Sequence, residues 1–292
     1  MTYILDGKKV AQKLKNNLKI EIENLKLKFN CVPGLAVVQV GNVAASSVYV
    51  KAKTKAAKEV GINVIDHNLE ETTNQSELIN LISKLNSNRD VDGILVQLPL
   101  PDTINEEAVL NSILPEKDAD GFHPLNVGKL SISPKNDENL MIPCTPYGCL
   151  LLLRELNINL AGKNAVVIGR SNIVGKPMAQ LLLKESCTVT TVHSKTENIE
   201  SICRNADILV AAIGKPEFVN KDWVKDGAII IDVGINRIKV SETKSKLVGD
   251  VLFSDVEQKV SAISPVPGGV GPMTIACLLR NTTTAYKLKY NN

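Results

Sequence analysis

Short apolar runs, each too brief for a helix and each followed by a stretch of helical spacing, recur along this 292-residue chain and leave it few folds to choose from. In the first half LAVVQV (35–40), INVIDHNL (62–69) and GILVQL (93–98) read as strands; in the second half NAVVI (164–168), TVTTV (188–192), DILVAAI (207–213) and GAIIIDV (227–233) do. Helical spacing lies between them: over 8–29 (Val10, Leu14, Leu18, Ile22, Leu25), around Leu78, Ile79, Ile82 and Leu85, over 175–184 and over 197–205. Strands apolar on both faces must be covered on both faces, so this alternation predicts parallel sheets flanked by helices. A proline-bearing stretch from Leu98 to Pro143 breaks the rhythm, and CTPYGCLLLLREL restarts it with Thr145 as the expected N-cap and Pro146 at the first helical position. The reading is an α/β chain of two domains, 1–140 joined by a last helix within 274–292, and 141–273, the second a Rossmann-like doubly wound parallel sheet. RIKVSETKSK (237–246) reads as a surface hairpin or loop.

Charge and cysteine usage narrow the partners. With 34 basic and 31 acidic residues spread along the chain, the net charge of +3 makes no electrostatic case for nucleic acid or a membrane surface, and a small molecule is the expected partner. The cysteines at 31, 144, 149, 187, 203 and 277 form no CxxC pair, and only His67, His123 and His193 stand ready to help them, so neither a disulfide framework nor a structural metal is expected. MTYILDGKKV has no apolar run of signal length and no stretch reaches membrane-span length; a cytoplasmic soluble protein is expected.

One lysine is out of line. In SSVYVKAKTKAA (46–57), helical by its Ala and Lys content, residues turn about 100° each, so Lys51, Lys55 and Lys58 share a face while Lys53 falls opposite, with Tyr49, Ala56 and Val60. Lys53 either snorkels past the apolar stripe to water or enters a cleft, where partial desolvation makes it easier to deprotonate and fit for general acid or base work, with Tyr49 one turn before it.

Four further segments carry chemistry. VVIGRSNIVGKPM (166–178) runs from strand through loop to helix, the place where dinucleotide phosphates meet backbone amides; five residues separate Gly169 from Gly175, so it is neither GxGxxG nor a P-loop. The next strand ends at His193-Ser194-Lys195 with no acid for a ribose 2′-hydroxyl, and Arg170, Ser194 and Lys195 suit a 2′-phosphate instead, unless they are ordinary solvated loop residues. DGILVQLPLP places Gln97 near a strand's carboxyl end, and PEKDADGFHP holds Asp120-Gly121, which is either a simple turn or a carboxylate able to grip a flat N–C–N edge. SPVPGGVGPMT (264–274), with three glycines and three prolines, fits a loop that lets a flat ligand approach the backbone, or a rigid linker.

Together YVKAKTKAA with its upstream serines, GILVQLPLP, EKDADGFHP, CTPYG, VVIGRSNIVGKPM, HSKT, DVGIN and PVPGGVGPMT resemble the bifunctional methylenetetrahydrofolate dehydrogenase and methenyltetrahydrofolate cyclohydrolase family, in order, from Asp6-Gly7 to the last helix. The resemblance implies two α/β domains with a cleft between them, a homodimer through the second domain, NADP as cofactor and tetrahydrofolate derivatives as substrates. By resemblance, Lys53 is the catalytic lysine, Tyr49 the ring-stacking tyrosine, Gln97 the glutamine beside the lysine, and Asp120 the carboxylate holding the pterin's amino-pyrimidine edge. Gly268, Gly269 and Pro272 match the folate-side loop, and Gly169, Arg170, Ser171, Ser194 and Ile235 match cofactor-contacting positions. A dehydrogenase without the hydrolytic step would not need the Tyr49, Lys53 and Gln97 set, and a nucleotide-sensing protein without turnover would not need Lys53.

Overall fold

The computed structural model describes residues 1–41, 44–135, 137–241 and 245–291, leaving aside the side chains of 44–48 and of residue 291. The serines upstream of Tyr49 thus lie outside the described side chains. The chain opens with β1 (Tyr3–Ile4) and α1 (Gly7–Phe29), then runs β2 (Gly34–Val40), α2 (Ala44–Val60), β3 (Asn63–Leu69), α3 (Gln75–Ser87) and β4 (Gly93–Val96). The proline-bearing stretch is not structureless: it carries α4 (Glu106–Ser112) and α5 (Pro124–Ile132), too short for a periodicity to show in sequence. Then follow α6 (Cys144–Glu155), β5 (Asn164–Ile168), α7 (Gly175–Lys184), β6 (Thr188–Val192), α8 (Ile199–Cys203), β7 (Ile208–Ala211) and β8 (Ile229–Asp232). The chain closes with β9 (Asn236–Lys239), β10 (Ser245–Val248), α9 (Phe253–Val256), β11 (Ala262–Ile263) and α10 (Val270–Asn291).

Two compact units result: Gln12–Cys144 with Ile275–Asn292, and Met1–Ala11 with Thr145–Thr274. The first is built on a parallel sheet ordered β3-β2-β4, with β2 buried along its whole length. Leu78, Ile82 and Leu85 of α3 pack with Ala36, Val38, Ile94 and Val96 on one side of that sheet, as their spacing requires. The second unit holds a six-stranded parallel sheet ordered β1-β11-β8-β7-β5-β6. Strand β5 has β6 on one side and β7 on the other, so the order reverses there, and loops at that point open at the carboxyl edge. The first eleven residues fall in this unit because β1 pairs with β11, Tyr3 opposite Ala262.

Several expected boundaries move for local reasons. Helix α6 begins at Cys144, and Thr145, instead of capping it, pairs its hydroxyl with that of Thr274 at 3.0 Å. Helix α10 starts at Val270, four residues before the expected start, and takes Pro272 into its first turn, where the missing N–H is no loss. α8 is shorter than 197–205 because Asn198 turns left-handed just before it, at φ 52°. The two-residue strands β1 and β11 carry no alternation to detect in the sequence. Residues 236–239 and 245–248 do form an antiparallel pair, β9 with β10; residues 242–244 lie outside the described residues.

Candidate active site

In the first unit α2 divides its lysines as the helical spacing requires: Lys51, Lys55 and Lys58 are exposed, whereas Lys53 keeps only 6% of its surface. A buried ammonium needs acceptors. Lys53 Nζ donates to Gln97 Oε1 at 3.1 Å, and Gln97 in turn donates through Nε2 to the carbonyl of Leu98 at 2.7 Å, which fixes which end of the amide faces the lysine. Gln97 follows β4 directly and its backbone N–H pairs with Val38 of β2, so the sheet sets its position. Tyr49, one turn before Lys53 on the same face of α2, is half-buried, and burial raises the pKa of its phenol.

Asp118 and Asp120 stand two residues apart and have opposite roles. Asp118 is spent on its own loop: its carboxylate accepts the N–H groups of Gly121 (3.0 Å) and His123 (2.7 Å) and the amide of Asn126 (2.9 Å). This folds the turn, and Gly121 sits in it at φ 77° with a virtual Cβ only 2.5 Å from the Ile142 carbonyl carbon, a place no side chain fits. Asn281 of α10 fastens the same loop from behind by donating to the carbonyls of Ala119 (2.9 Å) and Ile142 (2.8 Å). The Asp120 carboxylate, 8% exposed, accepts no hydrogen bond among the described residues. Burial pushes it up to about 6, opposed by the Lys53 ammonium and assisted by the Asp118 charge. A desolvated carboxylate with open lone pairs beside an ammonium is built to take donors from a ligand. Cys144, also in this unit, is different: burial pushes its thiol well above the ordinary range, so it is a packed thiol and no nucleophile at neutral pH.

In the second unit the β5–α7 turn presents the expected glycines at close quarters. Gly169 lies at φ 118°, and a Cβ there would stand 2.2 Å from the Ala212 carbonyl oxygen; a Cβ on Gly175 would stand 2.3 Å from the Gly169 carbonyl oxygen. Ser171 Oγ accepts the N–H groups of Val174 (3.2 Å) and Gly175 (3.3 Å), holding the loop at the start of α7. Arg170, Ser194 and Lys195 are exposed at the carboxyl ends of β5 and β6, and the turn after β6 is tied by the N–H of His193 donating to Thr196 Oγ1 at 3.0 Å. Ile235 is exposed just past β8. Basic and hydroxyl groups at this edge, with no carboxylate among 193–196, fit an anionic dinucleotide bearing a 2′-phosphate.

The 264–274 segment has a reason of its own. Gly269 has a Cβ position 2.6 Å from the Pro265 carbonyl oxygen, and Gly7 one only 1.7 Å from the Gly269 carbonyl oxygen, so these two glycines serve backbone packing. Gly268 adopts φ 107°, and a Cβ there would stand 3.4 Å from Lys8 Cε. Sequence reasoning passed over Asp118, Asn281, Asp232 and Asp250; Asp118 acts within its own loop, whereas the other three also reach backbone groups far along the chain, a relation without a local signature.

Comparison with known proteins matches both halves of the chain to domains of one family. Residues 5–120 match the tetrahydrofolate dehydrogenase/cyclohydrolase catalytic domain, and residues 143–290 match the NAD(P)-binding domain of the same family. The chain is 53% identical over 289 residues to the bifunctional protein FolD of Rhodospirillum rubrum, covering 98% of each chain. Its fold superposes on the crystal structure of the bifunctional enzyme FolD of Campylobacter jejuni with a TM-score of 0.93 at 47% identity, over 99% of this chain and 100% of that one. It superposes also on the Trypanosoma brucei methylenetetrahydrofolate dehydrogenase-cyclohydrolase, a complex with NADP and an inhibitor, with a TM-score of 0.94 at 38% identity, over 100% and 99% of the two chains.

The Asp120 carboxyl yields a stability prediction with a definite sign. Its pKa in the folded protein, about 6, exceeds the unfolded value, so the stability this group contributes is present in acid and lost as pH rises through about 6. Asparagine mimics the neutral acid. Asp120→Asn should therefore melt higher than the parent protein at about pH 8, by on the order of 2 kcal/mol, with the gain shrinking toward pH 5 in thermal melts. A variant that melts lower than the parent at pH 8 would show that the ionised carboxylate stabilises the fold.

Proposed function

This chain belongs to the tetrahydrofolate dehydrogenase/cyclohydrolase family, and from that membership we propose how its residues divide two consecutive reactions. The protein is a bifunctional enzyme of one-carbon chemistry: it oxidises 5,10-methylenetetrahydrofolate to the methenyl form with NADP, and hydrolyses that product to 10-formyltetrahydrofolate. The observation that carries the assignment of residues is the burial of Lys53 against Gln97 on the otherwise apolar face of α2.

Asp120 receives the amino-pyrimidine edge of the pterin, which offers two parallel N–H donors to its open lone pairs and stabilises its ionised form. Tyr49 lays its ring against the folate one helical turn from Lys53. Gly268, Gly269 and Pro272 form the segment that lies on the folate side. When bound, NADP accepts the hydride from the one-carbon bridge, so the protein's work in the first reaction is orientation of two flat molecules. Arg170 and Ser194 take the 2′-phosphate, the Gly169–Ser171 turn admits the pyrophosphate, and Ile235 lines the nicotinamide side. The fit rests on the exposed basic and hydroxyl groups at the ends of β5 and β6 and on the want of an acid there.

Hydrolysis asks more of the side chains. Water adds to the carbon of the methenyl bridge and loses one proton; the tetrahedral adduct then breaks its bond to N5, which gains a proton, while its hydroxyl loses the second water proton and becomes the formyl carbonyl, so that one proton is released overall. Lys53 gives a proton to N5 and is restored by one from the water, and Gln97 holds the lysine nitrogen where the transfers occur. Lys53→Met should cut cyclohydrolase activity by about 100-fold or more and leave dehydrogenase activity measurable, read by following methenyl absorbance apart from reduced cofactor. Hydrolysis at near the parental rate would remove Lys53 from this role.

Cofactor choice supplies a second test. Arg170→Ala should raise the KM for NADP by roughly ten- to a hundredfold and that for NAD little, since only NADP carries the phosphate that the guanidinium meets. Equal effects on both cofactors would assign Arg170 to the pyrophosphate or to the fold.

We propose further that the enzyme is a cytoplasmic homodimer. All six cysteines are free thiols, as suits a reducing compartment. β6 ends its sheet, with Thr188, Thr190 and Thr191 exposed. Thr188 donates its N–H inward to Lys163, so by the two-residue period Thr191 presents its N–H outward, ready for a second copy of the same strand. Sedimentation equilibrium should give twice the 31.6 kDa chain mass, and Thr191→Pro should give the monomer. A parent protein that sediments as a monomer would overturn this assembly.

A further inference from the structure

Beyond β7 and β8 the chain leaves the carboxyl edge of the second unit's sheet through residues 212–214 and 233–236, and two buried carboxylates hold both exits. Asp250, with none of its surface exposed, accepts the N–H groups of Ile213 (2.7 Å) and Gly214 (3.0 Å) on Oδ2 and the side-chain amide of Asn236 (2.9 Å) on Oδ1. Asp232, 3% exposed, accepts the N–H groups of Gly234 (3.0 Å) and Asp250 (2.9 Å) on Oδ1 and that of Val251 (3.0 Å) on Oδ2. The approach is so close that it requires glycines: a Cβ on Gly249 would stand 1.7 Å from Asp232 Oδ2, and one on Gly234 2.3 Å from Asp250 Oδ1. Ile235, 47% exposed, is thereby gripped on both sides, through Gly234 and through Asn236.

Such an arrangement is expensive as a device for stability. Burial pushes the Asp232 carboxyl up to about 7, with the Asp250 charge assisting, and a well-packed apolar pair would commonly stabilise the fold more. What the two carboxylates achieve is geometry: six hydrogen bonds fix three chain segments at one edge of the sheet. In a doubly wound sheet the half beyond the reversal point, here β7 and β8, receives the second nucleotide of a dinucleotide.

We propose that Asp250, with Asp232 behind it, is a positioning residue for the dehydrogenase reaction: it touches no ligand but holds the Ile213–Gly214 and Gly234–Asn236 backbones where they seat the nicotinamide half of NADP. The proposal rests on the reading above that Ile235 meets the nicotinamide. It separates two halves of one ligand, since the adenine half depends on Arg170 and Ser194 at the other side of the reversal point.

The test uses NADP and 2′-phospho-ADP-ribose, which lacks the nicotinamide, both titrated by calorimetry. Asn236→Asp sets a carboxylate against Asp250 and should weaken NADP about tenfold or more while leaving 2′-phospho-ADP-ribose within about twofold and cyclohydrolase activity unchanged. Adding Asp250→Asn reverses the polarity of that hydrogen bond, with the new amide donating to the new carboxylate, and should restore NADP affinity and dehydrogenase kcat to within about threefold of the parent. Equal weakening of both ligands by Asn236→Asp, or a double variant no better than the single one, overturns the proposal. Arg170→Ala, run alongside, should weaken both ligands alike. Its failure to do so would overturn the cofactor reading and this proposal with it, whereas a failed exchange beside a normal Arg170→Ala result overturns this proposal alone.

Discussion

A charged amine taken out of water is the constraint on which the first unit depends. Lys53 is buried on a helix face that otherwise carries Tyr49, Ala56 and Val60, and what it finds there is one amide oxygen from Gln97 and the field of Asp120. Removing the Gln97 amide would leave the lysine short of its acceptor at a cost of a few kcal/mol. The helix, the end of β4 and the 118–121 turn are therefore held to a single arrangement. That arrangement leaves Asp120 with lone pairs that no described residue uses.

The two neighbouring acids show how one loop divides its labour. Asp118 accepts three hydrogen bonds from its own loop and makes it rigid; Asp120, presented by that rigidity, accepts none among the described residues. Rigidity supplied by one carboxylate is what keeps the other from turning toward water. Asp232 and Asp250 repeat the first of these roles in the second unit, where backbone N–H groups at the carboxyl edge of the sheet have no strand left to pair with. In both units a buried acid satisfies backbone N–H groups that lie outside the strand ladders.

Legibility in the sequence followed distance along the chain. Lys53 stood out because a helix turns a spacing of residues into an angle, and three neighbours four or fewer residues apart sufficed to place it on the wrong face for a solvated amine. The Gly169 turn was visible because strand, loop and helix are contiguous there, and motifs such as VVIGRSNIVGKPM and PVPGGVGPMT are long enough to carry a family resemblance. Asn281 was invisible: it lies 162 residues from Ala119, whose carbonyl it caps, and nothing near it marks it as more than a polar residue in a helix. Asp250 was hidden for the same reason, 37 residues from Ile213, with only the unremarked Gly249 beside it to hint at a close approach.

The sequence by itself determined the alternation of strand and helix, the two-unit α/β organisation, the side of α2 on which Lys53 lies and the strand–loop–helix turn at Gly169, because each follows from periodicity or from residues in one short segment. Tertiary structure alone decided that Asp120 and not Asp118 is left open, that Gly269 serves backbone packing against Gly7, that β1 completes the second unit's sheet at β11, and that two carboxylates fasten the exits of β7 and β8. The physical reason is common to all four. A buried polar group must be satisfied by whatever the fold brings within about 3 Å of it, and the partner's identity depends on strand order and loop path, which no local pattern of residues encodes.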